Sequence, residues 1–200
     1  MIIYFLYFSP FLSCFCNLYG WIQILKLADS LKRDDFILKR GIELVAHSPL
    51  KRAKQTSEGM LGCCVDKEDG IKIAKGVKRV LEIPCLSERT PLEWLPNYHD
   101  DYIQRISTFE QWLSQQPEQV IAIVGHSQYF KTMLNMSFKF KNCDVWQITF
   151  DPNHLHLHHP NNNTATAAPN TQKSKSSEND PFYFEELPRG WSHLKRLYTY

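Results

Sequence analysis

An α/β fold, with helices on both faces of a mainly parallel sheet in three layers, is predicted by two features of this sequence. The first is a continuous apolar run, "QVIAIVGH", of the kind found in strands buried on both faces of a parallel sheet. The second is alternation: strand-like runs at Ile42–Ser48, Val120–His126 and Val145–Phe150 are separated by stretches of helical periodicity. With right-handed crossovers, such alternation stacks helices on both sides of one sheet. A chain of 200 residues fits one domain with a tail, and its 43% hydrophobic and 22% charged residues suffice for a packed core.

The elements follow in order. Residues 2–25 carry no charge, and "IIYFLYFSPFLSCFCNLY" is rich in aromatics. Its length approaches the roughly 20 apolar residues of a membrane span. Pro10, Asn17 and Gly20 interrupt it, however, and no basic n-region precedes it. A signal anchor is therefore the lesser expectation, and a buried first strand followed by a loop the rival one. "GWIQILKLADSLKR" places Trp21, Ile24, Leu25, Ala28 and Leu31 on one helical face, with Lys26, Asp29, Lys32 and Arg33 opposite. After a short charged loop comes the strand "IELVAHS". "SPLKRAKQTSEGML" then opens a helix, with Ser48 as expected N-cap and Pro49 at its first position.

"VKRVLEIPCLSERTPLEW" carries a short strand into an irregular, proline-punctuated segment. In the next helix, Asp100 or Asp101 is the candidate cap, Tyr102, Ile106, Phe109 and Leu113 form one face, and Pro117 lies beyond the end. A further helix is expected from near Ser127 and a further strand at "VWQITF". Residues 152–180 read as a low-complexity disordered segment and 181–200 as an aromatic tail that docks at a place the sequence does not specify.

The net charge of +2, with no basic stripe, argues against nucleic acid as a partner. The 6 cysteines form no C-x-x-C pair, so neither a zinc nor a thioredoxin-like site is indicated. Cys63 and Cys64 read as small helix-packing residues, and a reducing, cytoplasmic setting is expected.

In parallel α/β sheets, ligands gather at the carboxyl ends of strands. Two polar strand tips have that placement, Ser48-Pro49-Leu50-Lys51-Arg52 and Gly125-His126-Ser127. An arginine can fork two oxygens of a tetrahedral oxyanion while an imidazole donates to a third. Taken singly, each residue has a plain alternative: Arg52 as a solvated charge on a first helical turn, His126 as a satisfied structural histidine.

Several segments together carry a resemblance. "SPLKRAKQT" resembles the S-x-x-x-R-A-x-x-T segment of the histidine phosphatase superfamily, the phosphoglycerate mutase-like proteins. "LSERTPLEW" is similar to that family's L-x-E segment and "VIAIVGHSQYFKTML" to its V-G-H motif. "NCDVWQI" resembles its closing strand and "GWIQILKLADSL" its first helix, all in the family's order from Gly20 to about Asp151. The resemblance implies a phosphoglycerate mutase-like sheet and phosphomonoester chemistry through a phosphohistidine, without metal or organic cofactor. It implies His126 as the second pocket histidine, Arg52 as a phosphate-binding arginine and Glu88 as the proton donor. Ser127 would add a backbone amide and a hydroxyl to the phosphate cradle. Glu82 and Glu93 are the less well placed carboxylates. The implied partner is a phosphorylated small molecule or a phosphoprotein, with membrane contact through residues 2–19 the lesser alternative.

One piece of the pattern is missing. The family carries Arg-His-Gly at the tip of its first strand, and this chain has no histidine, arginine or lysine before Lys26. His47 and His99 are the nearest spare imidazoles, neither on the first strand. The expectation is an atypical N-terminus over residues 1–19, either an alternative start joined to a phosphatase body or a pseudo-enzyme, crippled in turnover either way. Other classes give rival readings. "GHSQY" resembles a nucleophile elbow with Ser127 as nucleophile and Asp144 or Asp151 with His154 as partners. Tyr129, however, stands where that turn needs a small residue. "HLHLHH" (His154, His156, His158, His159) could chelate a divalent metal adventitiously. Asn162-Asn163-Thr164 is a glycosylation acceptor pattern, relevant only to a secreted tail. A binding module that keeps the phosphate pocket without catalysis is the remaining alternative.

Overall fold

A computed structural model of the chain describes residues 1–7, 18–66, 68–138, 140–154 and 183–199. β1 (Ile2–Tyr7), β2 (Leu44–His47), β5 (Arg79–Glu82), β6 (Val120–Gly125), β7 (Val145–Phe150), β8 (Tyr183–Glu186) and β9 (Trp191–Tyr198) form one seven-stranded sheet. Its order is β5-β2-β6-β1-β7-β9-β8, parallel from β5 to β1 and antiparallel beyond. A separate hairpin joins β3 (Cys64–Asp66) to β4 (Gly70–Lys72).

The apolar start of the chain is a strand. β1 pairs in parallel with β6 and antiparallel with β7, in the middle of the sheet. Ile3, Phe5 and Leu6 are wholly buried there. Their alternation divides the core: Ile3 and Phe5 face one layer, Tyr4 and Leu6 the other. No helix among the described residues is long and apolar enough to cross a membrane.

On the Tyr4/Leu6 side lie α1 (Leu18–Arg33), α2 (Phe36–Arg40) and α3 (Lys51–Leu61). On the Ile3/Phe5 side lie α4 (His99–Ser114) and α5 (Ser127–Met133). The three-layer α/β/α sandwich expected from the alternation is thus present, with β5, β2, β6, β1 and β9 running one way.

Local details differ from the sequence reading, and each difference has a cause. α1 starts at Leu18, and its inward face is Gln23, Ile24, Leu27 and Leu31, while Leu25 is exposed. The stripe is rotated because α3 crosses close at Gly59, where a Cβ would stand 2.6 Å from the Ile24 side chain. The charged segment after α1 is itself a short helix, α2, held by buried Phe36. α3 is capped by the Leu50 backbone rather than by Ser48. α4 starts at His99, one turn position before the expected acidic caps, so Asp100 and Asp101 sit in the first turn near the positive dipole end. Cys63 and Cys64 follow α3 instead of packing within it, because Gly62 ends the helix in the left-handed region. The Cys63 sulfur accepts the Ala74 N–H.

The aromatic C-terminal stretch completes the sheet edge. Trp191 is buried against Phe150 at 4.5 Å between ring centroids and against Phe5 at 5.7 Å. Its indole N–H donates to buried Glu110 of α4 at 2.8 Å. The expected low-complexity tract lies, from residue 155, outside the described residues, as do Cys14, Cys16, His156, His158, His159 and Asn162 to Thr164.

Candidate active site

Two adjacent parallel strands end level with each other, and their tips build the site. In the β2–β6 register His47 pairs with Val124, and the Ser48 N–H continues the ladder to the Val124 carbonyl. One step on, His126 leaves β6 as the residue before α5, with extended backbone. The two tips are therefore brought together by register alone. His126 Nε2 lies 2.8 Å from the Ser48 hydroxyl, and both residues are wholly buried.

Gly125 makes the turn possible. A Cβ there would stand 2.7 Å from the Phe130 ring, which stacks on Phe5 of β1 at 4.3 Å. The close approach lets α5 begin directly against the strand. His126 is held above that packed layer.

Around His126 stand charges of both signs. The Glu88 carboxylate is 3.7 Å from Nδ1, beyond hydrogen-bond reach. Burial, then the positive fields of Arg52 and Arg105, push the imidazole down to about 3. The imidazole is therefore neutral at physiological pH, and its contact with Glu88 is not an ion pair. Nδ1 is buried and makes no hydrogen bond among the described residues. Arg52 sits in the first turn of α3, its carbonyl accepting from the Thr56 hydroxyl at 2.8 Å. His126, Glu88 and Arg52 are thus brought together.

Other sequence candidates are occupied elsewhere. His47 donates from Nδ1 to the Ser48 carbonyl and accepts the Val65 N–H at Nε2, both at 2.9 Å. With both ring nitrogens engaged it is a structural histidine joining β2 to the β3–β4 hairpin. Burial lowers its pKa as well. His99 is on the exposed start of α4, 3.1 Å from an Arg89 nitrogen. Glu82 pairs with Lys54 at 2.5 Å. Glu93 pairs with Arg105. Ser127 is buried, and its hydroxyl donates to the Phe140 carbonyl at 3.1 Å, so that oxygen is not presented to a ligand. Asp144 accepts the Trp146 indole N–H, and Asp151 bonds His154 and Asn153 at the other end of β7. No cluster of three metal-ligating side chains occurs among the described residues.

Ser48 and Arg105 were not read from the sequence as site residues. By its place before a proline Ser48 reads as a helix cap, the commoner use of such a serine. Arg105 is a helical arginine whose partners lie 12 to 20 residues away along the chain. No local spacing rule reveals such contacts.

The tip of β1 completes the geometry. In the β1–β6 register Tyr7 pairs with Gly125, so the chain leaves β1 one residue short of the level of His126. The sequence that follows Tyr7 is Phe8-Ser9-Pro10, with no imidazole or guanidinium before α1.

No family model matches this sequence, and no curated protein does. Solved structures do share its architecture. A protein assigned as an alpha-ribazole-5'-P phosphatase from Escherichia coli is 18% identical, with a TM-score of 0.52 over 76% of this chain and 91% of that one. The protein histidine phosphatase SixA, complexed with tungstate, is 17% identical, with a TM-score of 0.51 over 76% of this chain and 90% of that one. A phosphoglycerate mutase from Plasmodium falciparum is 16% identical, with a TM-score of 0.51 over 75% and 86%. The sheet order, the level strand tips and these likenesses together identify the chain's fold as that shared by histidine phosphatases and phosphoglycerate mutases.

Proposed function

We propose that this chain is a member of the histidine phosphatase superfamily that binds a phosphomonoester at the joined tips of β2 and β6 and turns it over poorly. The observation that supports this reading is the buried, neutral His126, with an unbonded Nδ1, set between the Glu88 carboxylate and the fields of two arginines. The fields of Arg52 and Arg105 on a buried, neutral imidazole favour an anionic ligand there.

In this reading Arg52 forks two phosphoryl oxygens. With the Ser48 hydroxyl donating to Nε2, Nδ1 carries the imidazole proton and donates a hydrogen bond to a third. In the same reading Glu88, 3.7 Å from Nδ1, is the acid that hands a proton to the leaving ester oxygen as the P–O bond breaks. What the reaction still requires is a nucleophile in line with that bond. The family resemblance assigns this to a histidine at the first strand's tip, and residues 8–17, between β1 and α1, include none. His47 offers no substitute, since both its nitrogens are bonded. The ligand class proposed is a phosphorylated small molecule or a phosphoprotein, bound without metal or organic cofactor. The free thiols Cys63, Cys64, Cys85 and Cys143 support a reducing, cytoplasmic setting as part of the same proposal.

Calorimetry with tungstate and inorganic phosphate, alongside p-nitrophenyl phosphate turnover, tests this. Expected are saturable tungstate binding, its loss on Arg52→Met, and turnover indistinguishable from buffer. Absence of binding to the folded wild type would sink the phosphate-site reading. Turnover abolished by His126→Ala would overturn the claim of poor catalysis.

A further inference from the structure

Arg105 of α4 is the most heavily bonded side chain near the site, and its field at His126 is only part of what it does. Its Nε and one terminal nitrogen grip the Glu93 carboxylate at 3.2, 2.8 and 2.7 Å. Its other terminal nitrogen donates to the Cys85 carbonyl at 3.4 Å and to the Ser87 carbonyl. A further contact reaches the Glu88 carbonyl at 3.5 Å. The guanidinium lies over the Tyr102 ring at 5.1 Å and the Tyr129 ring at 5.9 Å. A guanidinium has five N–H donors in a fixed fork, and these contacts occupy all three of its nitrogens. Arg105 therefore has no donor left for a phosphoryl oxygen.

What it does hold is the segment that carries Glu88. The carbonyls of residues 85, 87 and 88 and the side chain of residue 93 all converge on this one cation. Arg89 reinforces the hold, donating to the Glu93 carbonyl at 2.9 and 2.6 Å while stacking over Trp94 at 4.1 Å. Residues 87–90 have no helix or strand of their own. Their course is set by side chains, and a carboxylate on such a segment points at His126 only while the segment is pinned.

We propose that Arg105 is a positioning residue of the phosphoryl site: by collecting the Cys85, Ser87 and Glu88 carbonyls and the Glu93 carboxylate, it holds the Glu88 carboxylate opposite His126 Nδ1. This rests on the reading of the joined β2 and β6 tips as the phosphate site. The groups facing His126 are Ser48 just beyond β2, Arg52 from α3, Glu88 from the pinned segment and Arg105 from α4. Among them Arg105 acts on position and field without touching the ligand.

The test uses the full chain with Arg105→Lys and Glu88→Gln. Lysine keeps the charge but cannot reproduce the fork. Arg105→Lys keeps the charge and removes no ligand contact, so its tungstate affinity should stay within about threefold of wild type, and the loss of the fork is read at His126 instead. The second readout is the His126 Nδ1 nitrogen resonance at pH 7.5. In the wild type, Glu88→Gln shifts it. In the Arg105→Lys background, Glu88→Gln should leave it unmoved, because Glu88 has already swung away. A shift of full size in both backgrounds overturns the assignment. A purely structural arginine would lower thermal stability without erasing the Glu88-dependent shift. If the wild type binds no tungstate, the phosphate reading fails, while the resonance cycle still decides whether Arg105 positions Glu88.

Discussion

Ser48 carries more of the site than its place before a proline suggests. Its amide extends the sheet ladder to Val124, its carbonyl accepts a hydrogen bond from His47 Nδ1, and its hydroxyl meets His126 at 2.8 Å. Removing the hydroxyl leaves a buried imidazole nitrogen with no partner, at a cost of about 1–3 kcal/mol. Ser48→Ala should therefore lower the unfolding free energy from urea titration by that amount and weaken tungstate binding, while Ser127→Ala should leave tungstate binding unchanged. Equal effects of the two variants on tungstate affinity would show that the hydroxyl orients nothing. At this scale the sequence was legible where function is packed into contiguous residues. His126 and Arg52 each sit at a strand tip or first helical turn, and Glu88 falls in a short motif. Ser48 and Arg105 were not legible, because their roles are defined by partners 78 and up to 20 residues away.

The elements repeat the pattern. β6 and the buried face of α4 could be read directly: a run buried on both sides has no polar phase, and Tyr102, Ile106, Phe109 and Leu113 recur at helical spacing with no exposure at all. β1 was ambiguous because a central strand and a membrane-bound stretch share one composition. Only pairing with β6 and β7 distinguishes them. The β8–β9 hairpin could not be read, since its pairing with β7 closes across residues 155–182. Its anchoring is specific all the same. The turn between β8 and β9 holds Gly190 at φ 80°, with its carbonyl accepting the Asp151 N–H at 2.9 Å. A Cβ there would strike the Asp151 carbonyl at 2.4 Å. Arg189 lies 3.3 Å from Glu110, the same carboxylate that receives the Trp191 indole. Trp191→Ala should cost about 3–5 kcal/mol, as burial of a large aromatic is lost. Trp191→Phe keeps most of the packing but deprives buried Glu110 of a donor, for about 1–3 kcal/mol. Hydrogen exchange should show β9 amides losing protection first in both. Unchanged protection in β9 would mean that the hairpin is held by its backbone ladder alone.

At the scale of the whole molecule, the site's electrostatics should appear in the pH dependence of folding. His126 is held down to about 3, chiefly by burial, against about 6.5 in an unfolded chain. The unfolded state therefore takes up a proton below pH 6.5 that the folded state refuses, so this residue's contribution to stability falls as pH drops from 6.5 toward 3. By pH 5 the loss from His126 alone is about 2 kcal/mol. His47, also lowered by burial, acts in the same direction. Buried Glu110 and Asp144 act oppositely, because their raised pKa values favour the protonated folded state as pH falls. Glu43, Glu93 and Glu118, lowered by hydrogen bonds and by pairing with Lys78, Arg105 and Arg79, lose their contribution only in the acid range below about 4.5. The His126 share is isolated by difference. Between pH 7.5 and 5 the His126→Gln variant should lose about 2 kcal/mol less stability than the wild type in urea titrations. Saturating tungstate should narrow the gap, because a bound anion offsets the two arginine fields and lets the imidazole accept its proton in the folded state. Parallel stability curves for wild type and variant would mean that His126 is not held neutral, and the reading of the strand tips as a site for an anion would go with it.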